Sequence, residues 1–264
     1  MQMRHGHTLA TVIVSRLVEP QTLALSILPQ PDDATCGPTC LHAVYGYYGD
    51  HLPLEDVIAE APTLPDGGTL GAYLGCHALR RGYKAKLYTF DLSVFDVTWF
   101  AQDVDLAAKL TEQLVVKTGR RLHQASAAYL EFLRLGGQIR FEDLTAPLIR
   151  DILKRGRPIL AGLSATYLYR TPRERDVAGK TVFDDLRGKP SGHFVVINGY
   201  DSSARVTHIA DPLLPNPISR SQYYEVTLNH LVCAVMLGVI TDDANLLVLS
   251  PRKKSRSEDR QRSL

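Results

Sequence analysis

The apolar positions of this chain switch between two spacings, and the switches mark out its elements. Residues 8–17 (TLATVIVSRL) are apolar and β-branched, which predicts a first strand. Prolines 20, 29 and 31 make 20–33 a loop. Thr35-Cys36-Gly37-Pro38 then opens a helix of about a dozen residues ending at Gly49, with proline in the first turn, where its missing N–H does no harm. A short helix at 53–61, a turn at Pro65-Asp66-Gly67-Gly68, an amphipathic helix at 69–81 and an alternating strand at 83–90 follow. Three- and four-residue apolar spacing predicts two helices within 100–136, parted by Gly119 and closed by Gly136-Gly137.

Beyond that point 138–141 reads as a short strand, 146–154 as a helix, and Gly156-Arg157-Pro158 leads into ILAGLS, a buried strand. Residues 166–192 are polar, charged and without period, a length of loop that is often functional. Strands are expected at 193–200, 204–210, 231–240 and 245–249. Helices early and an antiparallel sheet late predict an α+β fold. The expected organisation is one domain over 1–249, with a helical insert near 91–136, and a disordered basic tail over 250–264.

Composition narrows the class. With 45% hydrophobic and 22% charged residues and a net charge of +2, the 264-residue chain has enough apolar material for a sizeable core. Nothing in that balance points to nucleic acid as a partner. The basic excess is partly local: the tail (SPRKKSRSEDRQRSL) holds six Lys/Arg against two acids and reads as a solvated segment. The longest apolar run near the start, Leu9 to Val14, is too short for a membrane span or a signal-peptide core, so a cytoplasmic location is expected. Four cysteines in this length do not make a disulfide scaffold.

One of those cysteines stands where chemistry wants a thiol. Cys36 sits at the mouth of a helix, whose partial positive charge and unpaired N–H groups favour an anion, and a thiolate is the nucleophilic form. Gly37 beside it leaves the backbone open. Taken alone, such a cysteine is more often a small buried hydrophobe. Cys40, one turn on, and Cys76 and Cys233, in apolar contexts, are read as core residues.

A hairpin supplies the partners. In SGHFVVINGYDSSARVTHIADP, the Asp201-Ser202-Ser203 cluster is a turn between two strands. Centring the turn on Ser202 sets His193 opposite Asp211 on the same face, with Cβ atoms about 5 Å apart. A carboxylate so placed fixes the tautomer of an imidazole and stabilises its cation. A slip of one residue would send one of them to the other face.

The run from Gln30 to Cys40 (QPDDATCGPTC) resembles the N-terminal motif of the bacteriocin-processing cysteine peptidases that cut after double-glycine leaders. It is equally similar to that of their stand-alone relatives, the C39-like peptidases. Gln30 stands six residues before Cys36, as in that family. The block Gly192-His193-Phe194-Val195-Val196, with Asp211-Pro212 after it, resembles the family's second motif, and Gly68-Thr69 and Gly156-Arg157-Pro158 resemble its framework. The likeness covers roughly 30–90 and 145–240. It implies a papain-like fold, a thiol-dependent hydrolase acting on a peptide or protein of bacterial type, and no cofactor or metal. Carried over, Cys36 is the nucleophile, His193 the general acid/base, Asp211 the orienting carboxylate and Gln30 the oxyanion donor. The helical middle and the 166–192 loop are longer than in a minimal member, which fits a lid or recognition insert.

Three other readings were weighed. Cys36, Cys40, His42, Cys76 and His77 have the residue types of a zinc site but not the spacing of paired CxxC motifs. An acyltransferase would use the same thioacyl intermediate, resolved by an amine. A non-catalytic peptide-binding module has no need of all four chemical positions.

Overall fold

The computed structural model describes residues 21–64 and 67–251, so the expected first strand at 8–17 and nearly all of the basic tail lie outside the described residues. In chain order β1 (Gln21–Thr22) precedes three helices, α1 (Cys36–Tyr47), α2 (Leu54–Glu60) and α3 (Gly71–Arg80). Strand β2 (Lys84–Thr89), helices α4 (Leu106–Val116) and α5 (Arg120–Arg134), strand β3 (Gln138–Arg140) and helix α6 (Ala146–Leu153) follow. The last part runs β4 (Ile159–Ser164), α7 (Ala165–Tyr169), β5 (Glu174–Val177), β6 (Lys180–Phe183), β7 (Gly192–Asp201), β8 (Val206–Ala210), β9 (Tyr223–Thr227), α8 (Leu228–Leu237) and β10 (Asn245–Ser250).

The central strands are apolar at almost every position, so both their faces must be covered. They form one sheet in the order β3-β2-β10-β4-β7-β8-β9, with β1 added to β7. Every pair in this sheet is antiparallel except β2 with β3. Side chains alternate faces along each strand. Leu87, Leu160, Phe194, Val196, Leu247 and Leu249 pack on the face that also holds Leu41 and Val44 of α1, Leu74 of α3 and Phe132 of α5. Tyr88, Ile159, Leu163, Val195, Ile197 and Leu246 pack on the other, with Ile149 of α6 and Leu231 and Val235 of α8. Helices early and sheet late give the expected α+β fold.

Several elements depart from the sequence expectation, among them α7 and β9, which lie where no element was expected. Residues 231–240 form no strand: α8 and a 3-10 turn (Gly238–Thr241) occupy them. The Thr227 hydroxyl caps α8 by accepting from the His230 N–H at 3.3 Å, and Leu228, Leu231, Ala234 and Val235 give it a buried stripe at helical spacing. The apolar run simply hides that period. Within the expected loop 166–192, β5 and β6 form a separate two-stranded ribbon.

The insert is anchored by one aromatic ring. Phe132 on α5 is fully buried, and a Cβ at either Gly75 or Gly137 would fall inside its ring. Those glycines let α5 lie close on α3. Among the described residues no helix is long and apolar enough to cross a membrane.

Replacing Phe132 with alanine is expected to destabilise the fold by about 3–5 kcal/mol, the usual range for a buried phenylalanine. Urea unfolding followed by fluorescence checks this; a loss under about 1 kcal/mol would show that the insert is not tied to the core through this ring.

Candidate active site

The approach to α1 is shaped by a turn that Asp32 organises. Its carboxylate accepts from the Ala34 N–H at 2.8 Å, and its carbonyl accepts from the Thr35 hydroxyl at 3.2 Å. Thr35 is the N-cap residue, yet its hydroxyl serves this turn and gives the helix no side-chain cap; no acid lies in the first turn either. The mouth of α1 therefore keeps its partial positive charge. Pro38 has no N–H, so the backbone donors left there belong to Cys36 and Gly37. Gly37 is required for close approach: a Cβ would sit 2.6 Å from Thr69 Cγ2 and 3.3 Å from Phe194 Cδ2. Cys36, first residue of the helix, is thereby brought beside the end of β7, where it lines the same hollow as His193.

His193 faces two ways. Its Nε2 lies 2.9 Å from Asp211 Oδ1, and the Cys36 side of the hollow lies at its other flank, close enough for the Cys36 charge to raise its pKa. The expected hairpin register is off by two residues. Val196 faces Ala210, Gly199 faces His208, and a bulge lies between them. Continued one step, that ladder puts Asp211 beside Val195, with His193 as its diagonal neighbour. Because the slip is even, both side chains keep the same face and still meet.

Asp211 is fully buried, and its carboxylate is saturated. Besides His193, Oδ1 accepts from the Leu213 N–H at 2.9 Å. Oδ2 accepts from the hydroxyls of Tyr169 at 2.7 Å and Tyr224 at 2.6 Å. Burial pushes the Asp211 pKa up, but the His193 charge and these hydrogen bonds outweigh it, and the net direction is down. Burial likewise pushes His193 down, yet the charges of Asp211 and Cys36 and their hydrogen bonds raise it to about 10. The two tyrosines go up, first through burial and then through the Asp211 charge, so they stay protonated donors. Sequence reasoning missed both. Tyr169 lies where only a loop was expected, and Tyr224 on a strand whose alternation (YYEVT) went unread.

Gln30 joins the two halves of the site. Its backbone N–H donates to the Pro212 carbonyl at 2.9 Å, next to Asp211. Its side-chain Nε2 donates to the Asp32 carbonyl at 2.7 Å, which fixes the amide's orientation and leaves one N–H uncommitted, while Oε1 is buried without a partner. Two hollows flank His193. One, of about 480 Å³, is lined by Gln30, Tyr169, Phe183, Leu213 and Pro215. The other, of about 390 Å³, is lined by Cys36, Gly68, Thr69, Gly192 and Asp243. The ribbon of β5 and β6 overhangs the first: Phe183 is 59% exposed, and Thr181 Oγ1 lies 3.4 Å from Asp33 Oδ2.

The remaining thiols differ in kind. Cys40 is buried, donates to the Phe194 carbonyl at 3.2 Å, and is pushed well up by burial. Cys76 is also buried, and burial raises its pKa to about 11. Cys233 is exposed, against the core position expected for it, because α8 buries its stripe on another face. The histidines weighed as metal ligands have other partners: His42 contacts the Leu52 carbonyl, and His77 contacts the Tyr45 hydroxyl and Glu60.

No curated protein matches the chain. Among solved structures it is similar to a double-glycine motif protease from an AMS/PCAT transporter in complex with the leader peptide: 14% identity, covering 88% of this chain and 97% of that one, TM-score 0.42. The peptidase domain of Streptococcus ComA, a bi-functional ABC transporter involved in quorum sensing, is 14% identical over 86% of this chain and 98% of that one, TM-score 0.41. Xylellain, a cysteine protease from Xylella fastidiosa, is 13% identical over 94% and 91%, TM-score 0.43. The model of one protein family matches residues 22–232, which hold Gln30, Cys36, His193 and Asp211 alike. The chain belongs to the Peptidase_C39 like family.

Proposed function

We propose that this chain is a cysteine peptidase that cleaves a peptide or amide bond, with Cys36 as nucleophile, His193 as general acid/base, Asp211 as the orienting carboxylate and Gln30 at the oxyanion. One observation carries the reading: His193, paired with a buried carboxylate that four hydrogen bonds hold, lines one hollow with a cysteine at an uncapped helix mouth. Membership of a peptidase family agrees with it.

The chemistry follows from that geometry. Cys36 gives its proton to His193, and Asp211 stabilises the imidazolium. The sulfur attacks the substrate carbonyl carbon, and the carbonyl electron pair moves onto oxygen. The Cys36 backbone N–H and the uncommitted Gln30 amide N–H are the donors available to that oxyanion, an arrangement worth several kcal/mol in such sites. When the carbonyl re-forms, the C–N bond breaks and the imidazolium protonates the leaving amine. A thioester remains. Water, losing a proton to His193, then attacks it and releases the carboxylic acid product and the thiol.

Cys36→Ala is expected to lower kcat by at least roughly a thousandfold, the scale seen when a nucleophile is removed, while circular dichroism stays unchanged. Full activity in that variant would remove Cys36 from the mechanism. In a Cys233→Ser background, which takes away the exposed thiol, iodoacetamide is expected to label Cys36 ahead of Cys40 and Cys76; mass mapping that finds another order would refute its activation.

Tyr224→Phe removes one charge-assisted donor from Asp211, worth about 1.5–3 kcal/mol. A kcat loss of about tenfold or more is expected, with KM little changed. Tyr169→Phe should act the same way.

The pair also sets a pH window for stability. The His193 contribution is complete below the ordinary histidine pKa near 6.5 and is lost as pH rises through about 10. The Asp211 contribution is complete above the ordinary aspartate value near 3.9 and is lost as pH falls through its depressed value. Asp211→Asn is therefore expected to be destabilised most, by about 3–5 kcal/mol, between pH ~4 and ~6.5. Urea melts across pH test this; a gap that widened above pH 10 would contradict it.

A further inference from the structure

The hollow on the Gly68–Thr69 side of Cys36 contains a carboxyl group that the mechanism does not use. Asp243 follows Asp242, which turns the chain in the left-handed region at φ 63°. Its backbone is gripped on both sides: its N–H donates to the Gly238 carbonyl at 2.9 Å, and its carbonyl accepts from the Asn245 N–H at 2.6 Å. A Cβ on Gly162 would strike the Asp243 carbonyl oxygen, and one on Gly192 would fall inside its carboxyl. Asp243 is thus wedged against the residue that precedes His193, and its side chain lines the same hollow as Cys36. It is 92% buried, being 8% exposed.

Among the described residues no arginine or lysine makes a salt bridge to it, though the Arg121 charge reaches it from the same hollow. Thr241 is the polar neighbour; its hydroxyl donates to the Gly238 carbonyl at 3.1 Å, and its contact with Asp243 favours the ionised carboxyl, against the larger effect of burial. Arg121, at the mouth, is ion-paired with Asp242 at 3.3 Å. Burial raises the Asp243 pKa to about 8, with Thr241, His193 and Arg121 opposing and Asp242 assisting. The charged groups facing it are these three, His193, Arg121 and Asp242, and Asp33 lines the opposite wall. His193 already has Asp211 and Cys36 as counter-charges. Among the described residues the hollow thus holds a buried acid with no salt-bridge partner of its own, beside an Arg121 that Asp242 already engages. Gly67 and Gly68 present no side chain along it, at φ 91° and 75°, which leaves room for a substrate main chain.

We propose that Asp243 is the specificity determinant of this hollow and selects a peptide with a lysine or arginine side chain on the Gly68–Thr69 side of the bond that Cys36 attacks. The inference rests on the peptidase reading of Cys36. An arriving ammonium or guanidinium group supplies the counter-charge that the fold withholds, and the carboxyl gives up its proton as the cation docks. Linkage then sets a pH signature: discrimination for the cation strengthens as pH rises toward 8, because less proton must be displaced. A neutral acid merely donating a hydrogen bond to the substrate would weaken over the same range.

The test uses peptidyl acyloxymethyl ketones that differ only in one side chain (lysine, leucine or glycine), with Cys36 labelling followed by mass spectrometry. The lysine probe is expected to label at least tenfold faster than the other two, with a ratio that climbs between pH 6 and 8. Asp243→Asn is expected to abolish the preference while iodoacetamide still labels Cys36 at the wild-type rate, and Asp243→Glu to restore part of it. Equal rates for the three probes, a preference for glycine, or a lysine preference that survives Asp243→Asn would each overturn the proposal and leave the peptidase reading standing. If iodoacetamide labels Cys36 but no peptidyl ketone outpaces it, the peptidase reading itself fails and takes the proposal with it.

Discussion

A carboxylate shut off from water survives only where other groups replace its hydration, and around Asp211 they come from four directions. The donors are an imidazole on β7, a phenol on α7, a phenol on β9 and the backbone of the segment that follows β8. Each of those elements is thereby fixed relative to the others. The adjoining Pro212 carbonyl holds the Gln30 loop, and the Asp211 N–H and carbonyl hold Gln222. The mouth of α1, the end of the central strand and the far edge of the sheet thus converge on one anion. Removing its charge would loosen the site from several sides at once, which is why its neighbours are tyrosines held firmly in the protonated state.

How much of this was legible in the sequence depends on how local each signal was. Helix mouths, glycine stops and two-residue alternation are local, and α1, α3, β2, α5 and β4 lie where they were expected. The bulge after Ile197 is not local, and no turn residue announces it: the turn sets a register three residues from the expected one, with Gly199 opposite His208, and the bulge takes one back, leaving two. The His193–Asp211 contact survived because an even slip preserves the face. Without the bulge the slip would have stayed at three, and the same argument would have failed. For 231–240 the fault lay in reading apolar content without its period, since Leu228, Leu231 and Val235 already trace a helical stripe. Tyr169 and Tyr224 carried no signal of their role, because a phenol's partner is chosen by tertiary contact.

The additions to the fold take different sides of the molecule. The α4–α5 insert packs on α3 through Phe132, so most of it serves as scaffold, though Arg121 at the start of α5 reaches the hollow beside Cys36. The β5–β6 ribbon stands over the other hollow, with Thr181 and Phe183 directed into it. Asp33 lines both hollows, yet they differ in chemistry: Tyr169, Phe183, Pro215, Pro217 and Glu174 line one, and the buried Asp243 lines the other.

The spread of the site along the chain has a consequence for its biogenesis. Cys36 is made early, and His193 comes 157 positions later, with Asp211 a further 18 on. At translation rates of about 5–20 residues per second, that gap is roughly 10–30 s. During that interval the thiol has neither imidazole nor oriented carboxylate beside it. The strand that brings His193, β7, pairs with β4 and with the distant β1, and such non-local pairing is slow to form. On the mechanism proposed above, competence of Cys36 therefore arrives only with the completed sheet, so the order of synthesis itself would keep an unfinished chain from attacking its own exposed peptide bonds or those of its neighbours.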